Sequence, residues 1–548
     1  MTTAQRVLWI IATFGNALAI FLLLNFVNGW TVSLMVFTSV YTLVGLHDIT
    51  SSRHTLNRLY PVLAYFRYFF ESIRIEIQQY FIANDIEEMP FNREQRNLVY
   101  RRAKGVSDTI PFGTQRDLMQ TNYQSIWHSM APKVLKEESK RIRVGSSQCK
   151  KPYLASRLNI SAMSYGALSA EAIQAMNLGA KQGGFYHNTG EGGISSHHLK
   201  HGGDLVWQIG TGLFGCRDDK GRFSADDFTK LANLEQVKMI EIKLSQGAKP
   251  GHGGVLPKAK ITDEIAVIRG ISKEQDCVSP PMNPEFSTPL ELLSFVSQLR
   301  ELSGGKPIGI KLCIGNPAEF LCLGKAMIET GVFVDFITVD GAEGGTGAAP
   351  VEFSNRLGLM CLEGVYFVNN VLVGLGIRSE IKVIASGKTA SGFDIVNKVA
   401  FGADMVNAAR TFMMSVGCIQ SKQCDTNKCP TGIATQDKNR SKAIDVERKA
   451  KRVASFQHHT LHSFYELLGA MGLDEVYKLT YNMVKRRTPN GMLESNTHTV
   501  PELKTKQLLN DALPGMWQIW WSKARSDSFY IEDTAPVHPP ELDVRNIS

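Results

Sequence analysis

From about residue 150 onward the sequence repeats one pattern: a short apolar run, a glycine-rich or polar loop, then a helical stretch. The runs are 158–162 (LNISA), 184–188 (GFYHN), 205–209 (LVWQI) and 239–244 (MIEIKL), then 308–313 (IGIKLC), 334–339 (VDFITV), 381–385 (IKVIA) and 404–408 (DMVNA). Strands apolar on both faces belong to a parallel sheet covered by helices. Both an open doubly wound sheet and a closed barrel satisfy that alternation. Eight units over roughly 290 residues match the TIM barrel, so the expected fold class is α/β, a TIM (β/α)8 barrel. Its active site would lie in the loops after the strands.

Those loops hold the polar and glycine-rich clusters: Asn188 to Gly193, Gln246 to Gly251, Asp340 to Gly347, and Ser386-Gly387-Lys388. Glycine lets backbone approach a ligand closely, and several such loops on one barrel mouth point to a large planar cofactor. The loops after strands seven and eight are where barrels commonly bind phosphate, which singles out Gly387 and Arg410. A G-x-G-x-x-G at Gly210, Gly212 and Gly215 is discounted as a dinucleotide fingerprint, because a turn and not a helix follows it.

The other end of the chain is different in kind. From Val7 to His47 there are 41 residues without Asp, Glu, Lys or Arg, about twice what one helix needs to cross a bilayer. Asn28-Gly29 divides the run into candidate spans at 7–27 and 30–47. The apolar stretch is too long for a cleaved signal, and two buried core helices are the soluble alternative. Arg6 precedes the pair and Arg53, Arg58, Arg67 and Arg74 follow it, while the connecting turn carries no charge. The positive-inside bias then gives a hairpin in the inner (cytoplasmic) membrane, with both ends and the catalytic domain on the cytoplasmic side. Residues 59–82 mix aromatics and arginines at near-helical spacing, fitting either a headgroup-plane helix or one packed on the next domain. The expected organisation is a transmembrane hairpin at 1–50 and a linker with an amphipathic helical region packing on the barrel at 51–150. The barrel follows at 151–450, and a helical C-terminal extension and tail at 451–548. The net charge of +8 includes no basic block with interleaved aromatics, so no nucleic-acid partner is expected. Trp517, Trp520, Trp521 and Phe529 in the tail read as packing residues.

Nine cysteines, an odd and sparse set, argue for a reducing compartment. Three of them, Cys418, Cys424 and Cys429 followed by Pro430, sit in one loop after the eighth strand. Structural zinc takes four ligands and the loop offers three, so an iron–sulfur cluster fits the spacing better; three unligated thiols are the alternative.

Here a family resemblance emerges. The run Gly417-Cys-Ile-Gln-Ser-Lys-Gln-Cys-Asp-Thr-Asn-Lys-Cys-Pro430 resembles the [3Fe-4S] loop of glutamate synthase. Ser161 to Ser169, Asn188 to Gly193, Ile242 to Gly251 and Asp340 to Pro350 resemble its flavin and substrate loops, in the same order. Over about residues 60–490 the chain is similar to the FMN-binding synthase domain of glutamate synthase. It is more similar still to the shorter FMN-binding family proteins with N-terminal membrane segments. The resemblance implies FMN and a [3Fe-4S] cluster ligated by Cys418, Cys424 and Cys429. It implies Met163 and Ser164 against the flavin, Gln208 and Lys311 as polar partners of the ring, and Gly341, Gly344 and Gly345 admitting ring and phosphate. A cation at Lys311 would stabilise the anionic reduced flavin. It places the 2-oxoglutarate pocket on Glu191, Lys243, Lys249 and Arg269, with Glu191 and Lys249 as catalytic candidates. Two lysines and an arginine suit a dicarboxylate, and a barrel salt bridge is the other reading of Arg269.

Two departures bear on substrate. His252 stands where the family has a carboxylate, and Val255, which cannot hydrogen-bond through its side chain, stands for an amide. No cysteine precedes Cys149 to serve as a glutaminase nucleophile, and no nicotinamide domain is recognisable after the barrel. The expected function is a membrane-anchored flavin oxidoreductase acting on the CH–NH2 group of donors. It would reduce a 2-imino acid such as 2-iminoglutarate, with electrons from a ferredoxin-like carrier or a membrane redox partner. The alternatives are an FMN dehydrogenase that oxidises an amino or hydroxy acid and feeds the membrane, and a non-catalytic electron-transfer subunit.

Overall fold

The computed structural model describes residues 2–51, 54–495, 500–510 and 512–531; Arg53 and the tail beyond 531 lie outside the described residues. The chain divides into two compact units, Met1–Arg93 and Glu94–Ser548.

The first unit opens with helical segments Thr3–Asn25 and Gly29–Thr50, each long and apolar enough to cross a membrane by length and composition. The turn between them is built by Asn28, whose side chain accepts from the Trp30 and Thr31 N–H groups and caps the second helix. Asn16 Nδ2 donates to Thr42 Oγ1 (2.9 Å) across the pair. Leu8 packs into the space left by Gly45, where a Cβ would lie 2.2 Å from the leucine Cδ1. Most of the remaining apolar side chains point outward, among them Phe14, Leu24, Val27 and Trp30. Asp48, buried near the end of the second helix, accepts from Val62 N (2.9 Å) and the Tyr65 hydroxyl (2.9 Å). Gln5 Nε2 donates to the Arg58 carbonyl (2.6 Å), so both ends of the helix pair are bound to residues 55–65.

In the second unit all eight expected strands are present and close into a parallel barrel. They are β1 (Leu158–Ile160), β2 (His187–Asn188), β3 (Leu205–Ile209), β4 (Val237–Lys243), β5 (Ile308–Leu312), β6 (Phe336–Asp340), β7 (Lys382–Ser386) and β8 (Met405–Ala408). Each pairs with its sequence neighbour, and β8 returns to β1 through Val406↔Leu158 and Asn407↔Asn159. β2 is shorter than the sequence run because Gly184 ends helix Ala170–Gly183 in a left-handed conformation (φ 65°) and delays the strand.

The barrel is filled in layers. Tyr186, Val206, Met239, Phe336, Ile384 and Met405 form an apolar layer at the N-terminal ends of the strands. An antiparallel hairpin, Arg141–Val144 with Tyr153–Ser156, plugs that mouth with Val144 and Ala155. Nearer the C-terminal ends the filling turns polar. Glu241 accepts from Asn188 Nδ2 (2.8 Å), Gln208 Nε2 (2.7 Å) and Thr338 Oγ1 (2.5 Å), drawing three strands onto one buried carboxylate. Helix Val446–Ala470 lies against helix Ala170–Gly183, with Val453 over Gly179, where a Cβ would sit 2.6 Å away. Trp517 is fully buried, stacks on Phe367 (5.4 Å, 7°) and donates through Nε1 to the Pro501 carbonyl (2.8 Å), a packing role as expected.

Candidate active site at the C-terminal mouth of the barrel

The loops after β2 and β4 bring the predicted substrate residues together. Lys243, the last residue of β4, donates to Glu191 Oε1 (2.8 Å) and to Gln246 Oε1 (2.6 Å). Room for the Glu191 carboxylate is made by two glycines: a Cβ on Gly254 would lie 2.2 Å from Oε1, and one on Gly210 would lie 2.6 Å from Oε2. That Oε2 is buried with no hydrogen-bond partner, a costly arrangement unless another donor arrives. Burial alone would raise the Glu191 carboxyl, but Lys243, with Arg269 and Lys249 behind it, outweighs burial and holds it below the usual carboxylate range. Lys249 donates to the Ala348 carbonyl (2.8 Å), and burial, then repulsion from Lys243, presses its ammonium down to about 8.

Arg269, at the end of helix Asp263–Arg269, is turned inward. Its Nη2 donates to Ser164 Oγ (3.3 Å) and the Tyr165 carbonyl (3.2 Å), and its guanidinium lies 5.3 Å from the Phe214 ring centroid. Its Nε is buried and unpartnered. No carboxylate pairs with it at ion-pair distance among the described residues, so the barrel salt bridge weighed from sequence is not what it forms. The two departure positions lie beside this pocket. Val255 pairs with Val278 in a short hairpin, and the His252 ring meets Phe353 edge-on at 5.3 Å.

The residues expected to hold the flavin line the same mouth. A Cβ on Gly190 would fall 2.6 Å from Ser164 N, so the Met163–Ser164 loop and the Glu191 loop touch backbone to backbone. Lys311 reaches Asp340 Oδ2 at 3.4 Å, and that oxygen also accepts from Gly247 N (2.9 Å). The loop after β6 is equally tight: a Cβ on Gly345 would sit 2.8 Å from Arg410 Nε, and one on Gly341 would sit 2.3 Å from Glu343 Oε2. Arg410 donates to the Glu343 carbonyl (2.6 Å), and Gly387 approaches Glu343 and Cys361. Gln208 differs from expectation in one respect: its amide nitrogen faces inward to Glu241. A cradle of glycine backbone, a lysine and an arginine fits a flat ligand with a phosphate arm, so these residues fit FMN.

The cysteine loop follows helix Arg410–Val416. All nine cysteines are free; Cys418 feels the charges of Cys424 and Cys429, and Cys424 feels that of Cys429. Burial pushes Cys418 up to about 12. Cys429 goes down: burial opposes it, but the Ala434, Thr431 and Ile433 N–H groups and the Thr431 hydroxyl favour the thiolate. Gln420 N points at Cys418 Sγ (3.4 Å). Gln420, Lys422 and Asn427 all hold left-handed backbone (φ 57° to 61°), a strain that a functional loop retains. Among the described residues no group of three or more His, Cys, Asp or Glu is disposed around a single metal ion. Three thiols with backbone donors aimed at two of them are a donor set that suits a polynuclear iron–sulfur centre.

Three site residues escaped the sequence reading. Glu241 was visible as a lone carboxylate in an apolar strand (MIEIKL), and Glu343 as an acid among glycines in the 340–347 loop. Lys260, in a turn of mixed lysines, gave no signal.

Residues 82–474 match the family model described as the conserved region in glutamate synthase. The glutamate synthase large subunit-like protein YerD of Bacillus subtilis (strain 168) is 36% identical over 502 residues, 84% of this chain and 94% of its own length. An archaeal glutamate synthase (NADPH) of Methanocaldococcus jannaschii is 33% identical over 329 residues, 60% of this chain and 61% of its own. The glutamate synthase (NADPH) large chain of Azospirillum brasilense is 29% identical over 57% of this chain, which spans 20% of that protein. With its parallel barrel and its matching core, the chain belongs to the glutamate synthase family.

Proposed function

We propose that the protein is a glutamate synthase-like flavin oxidoreductase, anchored in the cytoplasmic membrane with its barrel on the cytoplasmic side. It reduces a 2-imino acid, 2-iminoglutarate or a close relative, to the amino acid. When bound, FMN supplies hydride transfer, and a [3Fe-4S] cluster on Cys418, Cys424 and Cys429 supplies one-electron delivery from a ferredoxin-like carrier. The chain's own residues do the rest. Lys249 and Arg269 neutralise the substrate carboxylates. Glu191, fixed through Oε1 by Lys243, offers Oε2 to the substrate's N–H and handles the proton at nitrogen. Met163, Ser164, Lys311, Gly341, Gly344 and Gly345 hold the ring, Gln208 braces it from below, and Gly387 with Arg410 holds the phosphate end.

The observation that carries this reading is the unsatisfied Glu191 Oε2, buried where Lys243, Arg269 and Lys249 all act on the carboxylate. The two membrane-length helices favour a second reading, the dehydrogenase direction, in which electrons leave an amino or hydroxy acid for a membrane acceptor. One experiment separates them. Full-length protein purified in detergent is assayed for flavin absorbance and iron, then titrated anaerobically. Reoxidation of the reduced protein by 2-oxoglutarate with ammonia supports the first direction, and reduction of the oxidised protein by an amino acid supports the second. Protein with neither flavin nor iron, or a flavin indifferent to every substrate, refutes both.

A further inference from the structure

The loop that precedes the substrate helix carries a buried lysine that neither the cationic pocket nor the cofactor residues account for. Lys260 is 2% exposed. Its ammonium donates to two carbonyls on different loops, that of Ala167 next to the Met163–Ser164 loop and that of Cys424 (3.1 Å) in the cysteine loop. Among the described residues no carboxylate lies within ion-pair distance of it. A buried cation without a counter-charge is expensive, and carbonyl dipoles repay only part of that cost. Three thiolate ligands in the loop it touches would bring negative charge to it.

The surrounding bonds hold it there. Asn427 Nδ2 donates to the Ala259 carbonyl (2.8 Å), and Gln436 Nε2 donates to the carbonyls of Gly166 (3.0 Å) and Leu168 (2.8 Å). Ser169 N donates to the Ile433 carbonyl (2.8 Å). The cysteine loop and the 163–169 loop are thus stitched at several points, and Lys260 is a charged stitch among them. We propose that Lys260 is a positioning cation that locks the cysteine loop to the flavin-side loop and raises the reduction potential of the cluster. The inference rests on the cluster reading above. A fixed positive charge beside the sulfurs stabilises the reduced, more negative state, most strongly in a dry site.

The test is a redox titration of the holoprotein in detergent, following the cluster signal by electron paramagnetic resonance. K260M is expected to keep its iron and to shift the one-electron equilibrium toward the oxidised state at least tenfold, about 59 mV downward. K260R, which keeps the charge, is expected to stay with the parent protein. A strut with no electrostatic role would lower the thermal midpoint in both variants and leave both potentials in place, and that result overturns the proposal. If K260M loses iron, K260Q, which keeps a donor without the charge, is read instead: a downward shift supports the proposal and an unchanged potential overturns it. Parent protein without iron refutes the cluster reading and the inference together, whereas iron present with unmoved potentials refutes the inference alone.

Discussion

Lys249 is where a single residue ties the pocket to a measurable pH dependence. Its ammonium is depressed to about 8 by burial and by Lys243, so it is charged below that pH and neutral above it. Before substrate binds, Glu191 is held below the usual carboxylate range, so its ionisation adds no slope to binding near neutrality. Affinity for a 2-oxo dicarboxylate should therefore weaken as pH rises through about 8, and K249M should flatten the profile while weakening binding at low pH. Anaerobic dissociation constants at a series of pH values check this; an unaltered slope in K249M would remove Lys249 from the pocket. The neighbouring carboxylate makes the second case. E191Q should keep flavin content and lower substrate turnover by roughly 100- to 10,000-fold, the range of a lost acid–base group. G254A should mimic part of that loss without touching a functional side chain, because its new methyl would occupy the space of Glu191 Oε1. If G254A turns over at the parent rate, the carboxylate does not work from the position described.

At the scale of elements, Glu241 shows how the barrel interior supports the site above it. Its carboxylate accepts from β2, β3 and β6, and E241A would leave Asn188, Gln208 and Thr338 as unmet donors in a closed interior. The expected loss is about 3–5 kcal/mol, read from chemical denaturation, with E241Q losing less because it keeps the volume. A near-neutral E241A would mean that water replaces the carboxylate without cost. The same strands show what could be seen in advance. Near-continuous apolar runs fixed the existence and order of all eight strands, because burial on both faces leaves that mark whatever the neighbours are. Strand ends were less visible: Gly184 takes residues from the start of β2 through a backbone conformation that periodicity does not encode. The hairpin that plugs the barrel went unread, since Arg141 and Arg143 alternate with apolar residues on strands too short to register. Within the site, charged residues on loops after strands were legible by type and place. Contacts such as Lys260 to Cys424, across 164 positions, exist only once the fold has formed.

For the molecule as a whole, the anchor proposed for the first unit would decide where the chemistry happens. Its two apolar helices are joined by an uncharged turn at 26–28, and their far ends are tied together: Gln5 and Thr2 both bond to the 58–59 backbone, and Asp48 holds Val62 and Tyr65. As the proposed anchor, a hairpin whose two ends are both hydrogen-bonded to residues 58–65 would enter and leave a bilayer on one face. The arginines sit at those ends, Arg6 before the pair and Arg58, Arg67 and Arg74 after it, so in the anchor proposed above the positive-inside bias would put that face in the cytoplasm. A C-terminal reporter active only in the cytoplasm should therefore report, and a tag placed in the 26–28 turn should be reached only from the opposite side of intact cells. D48A would release the tie, leaving the Val62 N–H and the Tyr65 hydroxyl without their acceptor at a cost of about 1–3 kcal/mol, and residues 55–65 should then be cut faster by protease in detergent. Extraction of the full chain from membranes by alkaline carbonate would contradict the anchor. It would also weaken the dehydrogenase reading, because a barrel free of the bilayer has no reason to hand its electrons there.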